Sequence, residues 1–293
     1  MAKPSDPAPL KELTPVDVEN QKIADSFTRL ERIICVKRAN GEALSAGDKL
    51  MDREVHVKHA AWKIGDNTNE IWINGALGVC FSTGPKESEG LKEGSSRADY
   101  TFKGSNSSII SEITTTFNDM TLNEMARWHL AWLSDPNVYI DSATIDMEHN
   151  PELTVEKRPF RIKHLNISVQ SNYNGIHGWL QLMDPAMESF IFRGNGILDS
   201  NRFLQLPFVS KLKKLMIIYE SSFDDRTLNL LNAQHIQLAS DFITDIGINK
   251  MMHRWNDQNF PIRSTFVIYY QVKNRDGIVV KMDVQESNHN DKF

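Results

Sequence analysis

The stretch from Ile162 to Tyr270 decides the fold, because five short apolar segments recur in it and each is followed by a helix-like segment. In chain order they are Leu165-Asn166-Ile167-Ser168-Val169, Ser189-Phe190-Ile191-Phe192, Leu215-Met216-Ile217-Ile218-Tyr219, His235-Ile236-Gln237-Leu238 and Phe266-Val267-Ile268-Tyr269-Tyr270. Their first inward residues, at positions 165, 190, 215, 236 and 266, follow one another at steps of 21 to 30 residues. This spacing predicts a stack of strand-plus-helix units, which forms an extended binding surface rather than a reaction pocket.

Two further segments belong to this stack. Tyr139 to Met147 alternates apolar and polar residues and predicts an earlier strand, with Ala143 as its first inward residue. Gly277 to Val284 predicts a last strand that pairs with the segment ending at Tyr270. The period resembles that of leucine-rich repeats, but the steps are irregular and an asparagine ladder is missing. We therefore expect an irregular leucine-rich-repeat-like stack.

The residues before the stack predict a strand meander. Residues 54–82 alternate apolar and polar side chains and contain Asn74-Gly75, a hairpin signal. Residues 83–97 are rich in glycine, serine and charge and predict a surface loop. The isoleucine- and threonine-rich segment 108–117 is consistent with a strand or with the start of a helix. Thr121 and Glu124 form a capping-box pattern that predicts a helix.

The N-terminal region predicts a small helical module. Residues 1–12 carry three prolines among polar residues and predict a disordered tail. From Leu13 to Leu50 the apolar spacing predicts two or three short helices, with Thr14 as N-cap and Pro15 at the first helical position. Helices this short bury little apolar surface alone, so they need a partner or the next domain.

Composition limits the classes of function. The chain has 293 residues, 40% hydrophobic and 24% charged, which is typical of a globular protein with a sizeable core. A net charge of −5 argues against nucleic-acid binding, and no apolar run is long enough to cross a membrane. Cys35 and Cys80 lie among apolar neighbours and are expected to be buried and reduced. Without a signal peptide pattern, an intracellular protein is expected.

A search for chemistry identifies no catalytic, cofactor-binding or metal-binding residues. The chain contains no phosphate-binding loop, zinc-ligand spacing or nucleophile elbow. Isolated candidates have simpler interpretations. Asp224-Asp225 fits a helix N-terminus better than a carboxylate pair. Trp128 and Trp132 fit core packing better than a ligand platform. His56 and His59 would lie on opposite sides of a strand and are poorly placed to share a metal. His129 is best interpreted as a packed histidine. The densest basic cluster fits solvent-exposed residues at the beginning of a strand: Lys211, Lys213 and Lys214.

Three passages resemble nematode F-box proteins with an FTH-type F-box-associated domain. The first is LTPVDVENQKIADSFTRLERIICVKR, at 13–38, which resembles a divergent F-box. The second is VHVKHAAWKI together with EIWING, at 55–64 and 70–75. The third covers about 162–270 and includes RIKHLNISV, KLKKLMII and FITDIGINKMMHRW. Thr14 separates Leu13 from Pro15, where the family has an adjacent Leu-Pro pair.

The resemblance implies a domain organisation. The fold class expected is α+β: a short N-terminal helical F-box-like module, a strand meander and an irregular leucine-rich-repeat-like stack of strand–helix units. The boundaries are 1–12 for a tail, 13–52 for the F-box-like module, 53–285 for the F-box-associated domain and 286–293 for a second tail.

The resemblance also implies a function. The chain would be a non-enzymatic substrate-recognition adaptor of a Skp–cullin–F-box ubiquitin ligase, in the cytoplasm or nucleus. Its N-terminal helices would bind the Skp-type adaptor, and through it a cullin, while its C-terminal domain would bind an unknown protein substrate. The adaptor-binding residues implied are Pro15, Val18, Ile23, Leu30, Ile33 and Val36. Two alternatives stay open. These residues could instead pack on the sheet domain, leaving an interaction protein with a decayed F-box, or the chain could be an enzyme of another class.

Overall fold

The structure is a computed structural model that describes most of the sheet and the helices packed on it. The described residues are 18, 20–25, 28–29, 54–65, 68–83, 95–103, 109–118, 121, 124, 131–148, 160–170, 176–194, 197–257, 264–269 and 282–283. Both predicted tails and most of the predicted N-terminal module, including Pro15, Leu30, Ile33 and Val36, lie outside these residues.

Twelve strands form one sheet in the order β12-β11-β10-β9-β8-β7-β6-β1-β2-β3-β4-β5. In chain order the strands are β1 Val55–Ile64, β2 Thr68–Ile73, β3 Leu77–Thr83, β4 Ser95–Lys103, β5 Ile109–Asn118, β6 Val138–Met147, β7 Ile162–Val169, β8 Ser189–Gly194, β9 Lys214–Glu220, β10 His235–Ala239, β11 Thr265–Tyr269 and β12 Met282–Asp283. The first five strands form an antiparallel meander. Strands β6 to β11 run parallel, and β1 joins the two halves because it pairs parallel with β6 and antiparallel with β2.

One row of apolar side chains crosses the sheet from β11 to β5 in a single register. We call it the central inner row. Its members are Ile268, Leu238, Ile217, Phe192, Ile167, Ile145, Trp62, Ile71, Val79, Tyr100 and Ile113. The first ten are at most 8% exposed, whereas Ile113, on the edge strand, is 55% exposed. The two halves of the sheet therefore share one core.

The helices pack on the same side of the sheet as this row. They are α1 Ile176–Leu180, α2 Ser200–Leu204, α3 Asp225–Leu228 and α4 Asp245–Asp257, with a 3₁₀ turn at Val209–Lys211. Their buried residues belong to the same hydrophobic cluster as the row. Ring contacts show the packing directly, since the centroids of Trp179 in α1 and Trp62 lie 5.5 Å apart, and those of Phe203 in α2 and Phe190 lie 5.6 Å apart.

An irregularity shared by β1, β6 and β7 shifts the side-chain alternation. In each strand two buried residues are separated by two more exposed ones: Val57 and Ala60, Ile140 and Ala143, and Ile162 and Leu165. The register between the strands is unchanged, so the three bend together. In β1 the side-chain oxygen of Asn74 accepts hydrogen bonds from the backbone N–H groups of Lys58 and His59, at 2.9 and 3.1 Å. Asn74 and Gly75 both have positive φ, as their turn requires.

The predicted fold class, α+β with a short N-terminal helical module followed by a strand meander and an irregular leucine-rich-repeat-like stack, is wrong. The meander and the strand–helix units form one mixed sheet, because β1 hydrogen-bonds to β6 and their apolar faces are in register. Among the described residues the helices are few and short, and no separate N-terminal helical module is found. Ile23, in the helical segment 20–25, is instead 1% exposed and belongs to the core of the sheet.

Several local predictions agree with the structure. Each of the five apolar segments contains a strand, and positions 143, 165, 190, 215, 236 and 266 are directly aligned. The segment 108–117, left open between strand and helix, contains most of β5. Thr121 and Glu124 make the reciprocal contacts of a capping box.

Truncating the central inner row is expected to destabilise the protein strongly. Phe192→Ala removes a ring that is 2% exposed and should lower the free energy of unfolding by about 3–5 kcal/mol. The control is Ile191→Ala, next in the chain but on the half-exposed opposite face, which should cost about 1 kcal/mol or less. Urea denaturation measures both. Equal losses would contradict the assignment of the two faces.

Candidate functional site

One face of the sheet lies opposite the helices, and in the parallel half its side chains are mostly half-buried. Successive side chains of a strand point to opposite sides, so the residues between the buried positions lie on this second face. We call the surface that they form on β1 and β6–β11 the outer face. Its middle row consists of Ala61, Thr144, Asn166, Ile191, Met216, Gln237 and Val267, aligned strand by strand and all half-buried.

A second row of the outer face lies nearer the beginnings of the strands. It consists of His59, Ser142, His164, Ser189, Lys214, His235 and Thr265. Three of its seven members are histidines, but His59, His164 and His235 lie on strands that are not neighbours. No group of three or more His, Cys, Asp or Glu side chains that could hold a metal ion occurs in the part of the chain that the structure describes.

The outer face mixes neutral polar, apolar and a few charged groups. Arg193 donates a hydrogen bond from Nη1 to the side-chain oxygen of Asn166 across the β7–β8 pair, at 2.8 Å. His235 Nδ1 lies 3.0 Å from the hydroxyl of Thr265. Many polar groups remain half-exposed next to Ile191 and Met216. Such a mixture is typical of protein-binding surfaces, where apolar area and hydrogen-bonding groups alternate.

Charges of alternating sign border the outer face where the parallel strands begin. These residues follow one another in the register of the sheet, on β1, β6, β7 and the segments that lead into β8 and β9. They are Lys58, Asp141, Lys163, Glu188 and Lys213. Glu188 contacts both flanking lysines, with its Oε2 3.0 Å from Lys213 Nζ and 4.0 Å from Lys163 Nζ. The hydrogen bond from Lys213, more than the charge of Lys163, lowers the pKa of Glu188.

The meander side of the same face carries an aromatic platform. Trp72 lies over Gly78 of the next strand so closely that a Cβ atom on Gly78 would come within 2.5 Å of the indole ring. Lys103 Nζ lies 4.2 Å from the Trp72 ring centroid, a cation–π contact. A glycine is needed at position 78 because the ring occupies the space of its side chain.

A stack of three side chains lies where the two halves of the sheet meet. The rings of His56 and Tyr139 are 5.2 Å apart and nearly parallel. The Arg161 guanidinium carbon lies 4.7 Å from the Tyr139 ring centroid, and Arg161 also donates a hydrogen bond to the Tyr139 hydroxyl. The stacking contact with Tyr139 positions the His56 ring.

The helical side of the sheet contains a small cavity. It lies between β1, β6, β7 and α1, and it is lined mainly by apolar side chains, among them Trp62, Phe160 and Trp179. Its volume of about 10 Å³ holds no more than about one water molecule, so it is too small for a substrate. The indole N–H of Trp179 is buried, and no described group accepts its hydrogen bond. The apolar side chains on this side of the sheet form the core.

The perturbed titratable groups away from the outer face have structural roles. Burial lowers the pKa of His177 in α1, and the charge of Asp199 only partly opposes this effect. Asp224 caps α3 through Thr227, whose N–H donates at 2.7 Å, and these hydrogen bonds lower the pKa of Asp224. Asp225 accepts a hydrogen bond from the N–H of Thr244. The helix N-terminus expected at Asp224-Asp225 is confirmed.

The adaptor-binding residues implied by the F-box resemblance are divided between surface and core. Val18 is 43% exposed, whereas Ile23 is 1% exposed and packs in the core of the sheet. The other four, Pro15, Leu30, Ile33 and Val36, lie outside the described residues. Burial of Ile23 matches the alternative that these residues pack on the sheet domain.

Two other sequence interpretations can be compared with the structure. Trp132 is fully buried, as core packing requires. Among the three clustered lysines, Lys213 is the partner of Glu188, while Lys214 belongs to the second row of the outer face. Cys80 on β3 is only half-buried, so the expected burial of this cysteine is wrong.

Sequence reasoning missed the residues that form the outer face. The sequence pattern was sufficient to identify them, because they are the residues between the buried positions of each repeated segment. Asn166, Ile191, Met216 and Gln237 follow the inward residues at 165, 190, 215 and 236 by one position.

Replacing Lys213 is expected to raise the pKa of Glu188 towards its ordinary value, because Lys213→Gln removes the strongest interaction with the ionised carboxylate. Lys163→Gln is the matched control and should raise it less, since its Nζ lies 4.0 Å away rather than 3.0 Å. NMR titration of the Glu188 carboxyl carbon measures both. The Lys213–Glu188 contact stabilises the folded protein above the ordinary carboxyl pKa. This contribution is lost as pH falls through the lowered pKa of Glu188 in the folded protein. A larger shift in Lys163→Gln would refute this arrangement.

Comparison with known proteins leaves the family open. No family model matches the chain, and neither the curated proteins nor the solved structures contain a match. Among the described helices, none has the length and apolar character needed to cross a membrane.

Proposed function

We propose that this chain is a non-catalytic protein-recognition module that binds a partner protein on its outer face. The observation that carries the proposal is the alignment of seven strands in one register, which presents a wide, half-exposed row of mixed polar and apolar side chains. The described helices pack on the opposite side of the sheet.

The chemistry of the outer face favours a protein over other ligands. Ile191 and Met216 supply apolar contact at the centre, and Asn166, Gln237 and His235 supply donors and acceptors around them. A polar rim around an apolar centre is the usual composition of a protein interface. A net charge of −5 and the paired charges at the edge do not suit a nucleic-acid backbone. The cavity near Trp179 is too small to hold a small-molecule substrate.

Substitutions on the outer face are expected to abolish partner capture without unfolding the protein. The double variant Ile191→Lys, Met216→Glu places charges at the centre of the face, where both side chains are half-buried and point away from the core. The control is Leu230→Lys, a 58% exposed apolar residue that follows α3 on the other side. Affinity capture with quantitative mass spectrometry compares them with the wild type. Proteins lost with the double variant and kept with Leu230→Lys support the proposal. Identical captured sets, or none, would reject it.

The F-box resemblance supports a more specific proposal: the recognised protein is a ubiquitination target, and the N-terminal segment binds a Skp-type adaptor in the cytoplasm or nucleus. The exposed side chain of Val18 is available for such contact, whereas that of Ile23 is committed to the core. Binding to the Skp-type adaptor therefore involves only part of the residue set that the resemblance implies. If attachment has been lost, the module binds its partner without engaging a ligase.

Purified Skp-type adaptor tests this attachment. The wild type should bind it, and both Val18→Asp and Ile33→Asp should weaken binding by placing a charge in an apolar interface. Val18→Asp is the cleaner variant because Val18 is 43% exposed, so unfolding is a minor concern, while Ile23→Asp would disrupt the core of the sheet. Isothermal titration calorimetry measures the affinities. A wild type that does not bind the adaptor disproves the ligase role but leaves recognition by the outer face untouched.

A further inference from the structure

The strand β5 leaves a long edge of the sheet open. It has ten residues, it is last in the strand order, and among the described strands it pairs only with β4. The opposite edge, β12, has only two residues. In an antiparallel pair, alternate backbone N–H and C=O groups point away from the partner. The edge of β5 therefore presents a row of hydrogen-bonding groups to a further strand.

The sequence of β5 lacks the features that usually protect an edge strand. Such strands carry lysines, prolines or bulges that prevent further pairing. The residues from Ile109 to Asn118 read IISEITTTFN, with one charge at Glu112 and no lysine or proline. The only irregularity in its pairing with β4 lies at the beginning, opposite Phe102 and Lys103. Isoleucine, threonine and phenylalanine are among the strongest strand formers.

The central inner row also ends with an exposed member at this edge. The central inner row is at most 8% exposed as far as Tyr100 on β4, and its next member, Ile113, is 55% exposed. The row members from β10 to β4 each have a cross-strand neighbour on both sides. Among the described strands, Ile113 has one only on β4. An added strand would place a side chain about 5 Å from it and bury its apolar surface.

We propose that β5 is the interface between two copies of this chain, which pair antiparallel about a two-fold axis at Ile113. This register places Ile113 opposite Ile113, Glu112 opposite Thr114, and Ile109 opposite Phe117. No like charges face each other. A register centred on Glu112 would oppose two carboxylates, and one centred on Thr114 would set Ile113 against Thr115. Among the registers that give Ile113 an apolar partner, the one centred on Ile113 pairs the longest stretch of β5, from Ile109 to Phe117.

A second copy fits this edge better than an unrelated extended segment does. The two-fold axis is perpendicular to the sheet, so both helical layers lie on the same side and both apolar inner faces join. The central inner row of one copy then leads directly into that of the other. An extended peptide would cover Ile113 but would leave its own outer edge open. The outer faces of the two copies also become one continuous surface on the other side.

Sedimentation-velocity measurements on the full chain test this interface. The wild type should be a dimer, and I113K and I113E should each be folded monomers with an unchanged far-UV circular dichroism spectrum, because each places two like charges on the two-fold axis. A 1:1 mixture of the two variants should restore the dimer, since lysine then faces glutamate. The control I197K alters an apolar residue of similar exposure, 60%, that lies outside β5 and should leave the dimer intact.

Three results would overturn the proposal. The first is a wild type that stays monomeric at about 100 µM, a concentration at which specific protein dimers are populated. The second is an I113K variant that remains dimeric, because the interface would then lie elsewhere. The third is a mixture of I113K and I113E that stays monomeric, because opposite charges at the centre of the register should attract. A wild-type monomer whose β5 edge binds an extended peptide would favour a different occupant.

Discussion

The structure depends on the lateral contact between apolar side chains in the central inner row. Ten neighbouring members are buried, and each touches the corresponding residue of the next strand because the register is constant from β11 to β4. Removing this continuous area from water is the dominant favourable contribution to such a sheet. The register cannot slip by one residue in any strand without moving its apolar residues to the outer face. The same constraint that buries one face therefore determines which side chains form the other.

β1 connects the two halves of the central inner row. It has a parallel partner, β6, on one side and an antiparallel partner, β2, on the other, so it lies between the parallel strands and the meander. Trp62 supplies its member of the row, and its indole N–H donates a hydrogen bond to the side chain of Asn69 on β2. Asn74 satisfies two backbone N–H groups where the strand bends. These polar contacts support the bent strand that joins the two pairing modes.

The sequence shows much of the local structure but not how the parts combine. Inward positions at 143, 165, 190, 215, 236 and 266 were predictable, because a strand with one buried face must alternate. The meander in 54–82 and the caps at Thr121 and Asp224 were predictable for the same local reasons. The joining of β1 to β6 was not, since it pairs residues about 80 positions apart and no local pattern encodes it. A meander followed by a repeat-like stack was therefore expected within 53–285, instead of one mixed sheet. The N-terminal module was expected for different reasons, the helical spacing in 13–50 and the F-box resemblance. The outer face was overlooked because half-buried mixed residues carry no motif.

The central claim is that the meander and the parallel strands form one cooperative sheet with a helical layer on one side and a free outer face on the other. Native-state hydrogen exchange as a function of denaturant measures this most directly, because it reports the opening free energy of each strand. We predict that amides of β2 and β3 open with the same free energy and denaturant dependence as those of β8 and β9. Separate opening of the two halves at clearly different free energies would contradict the account.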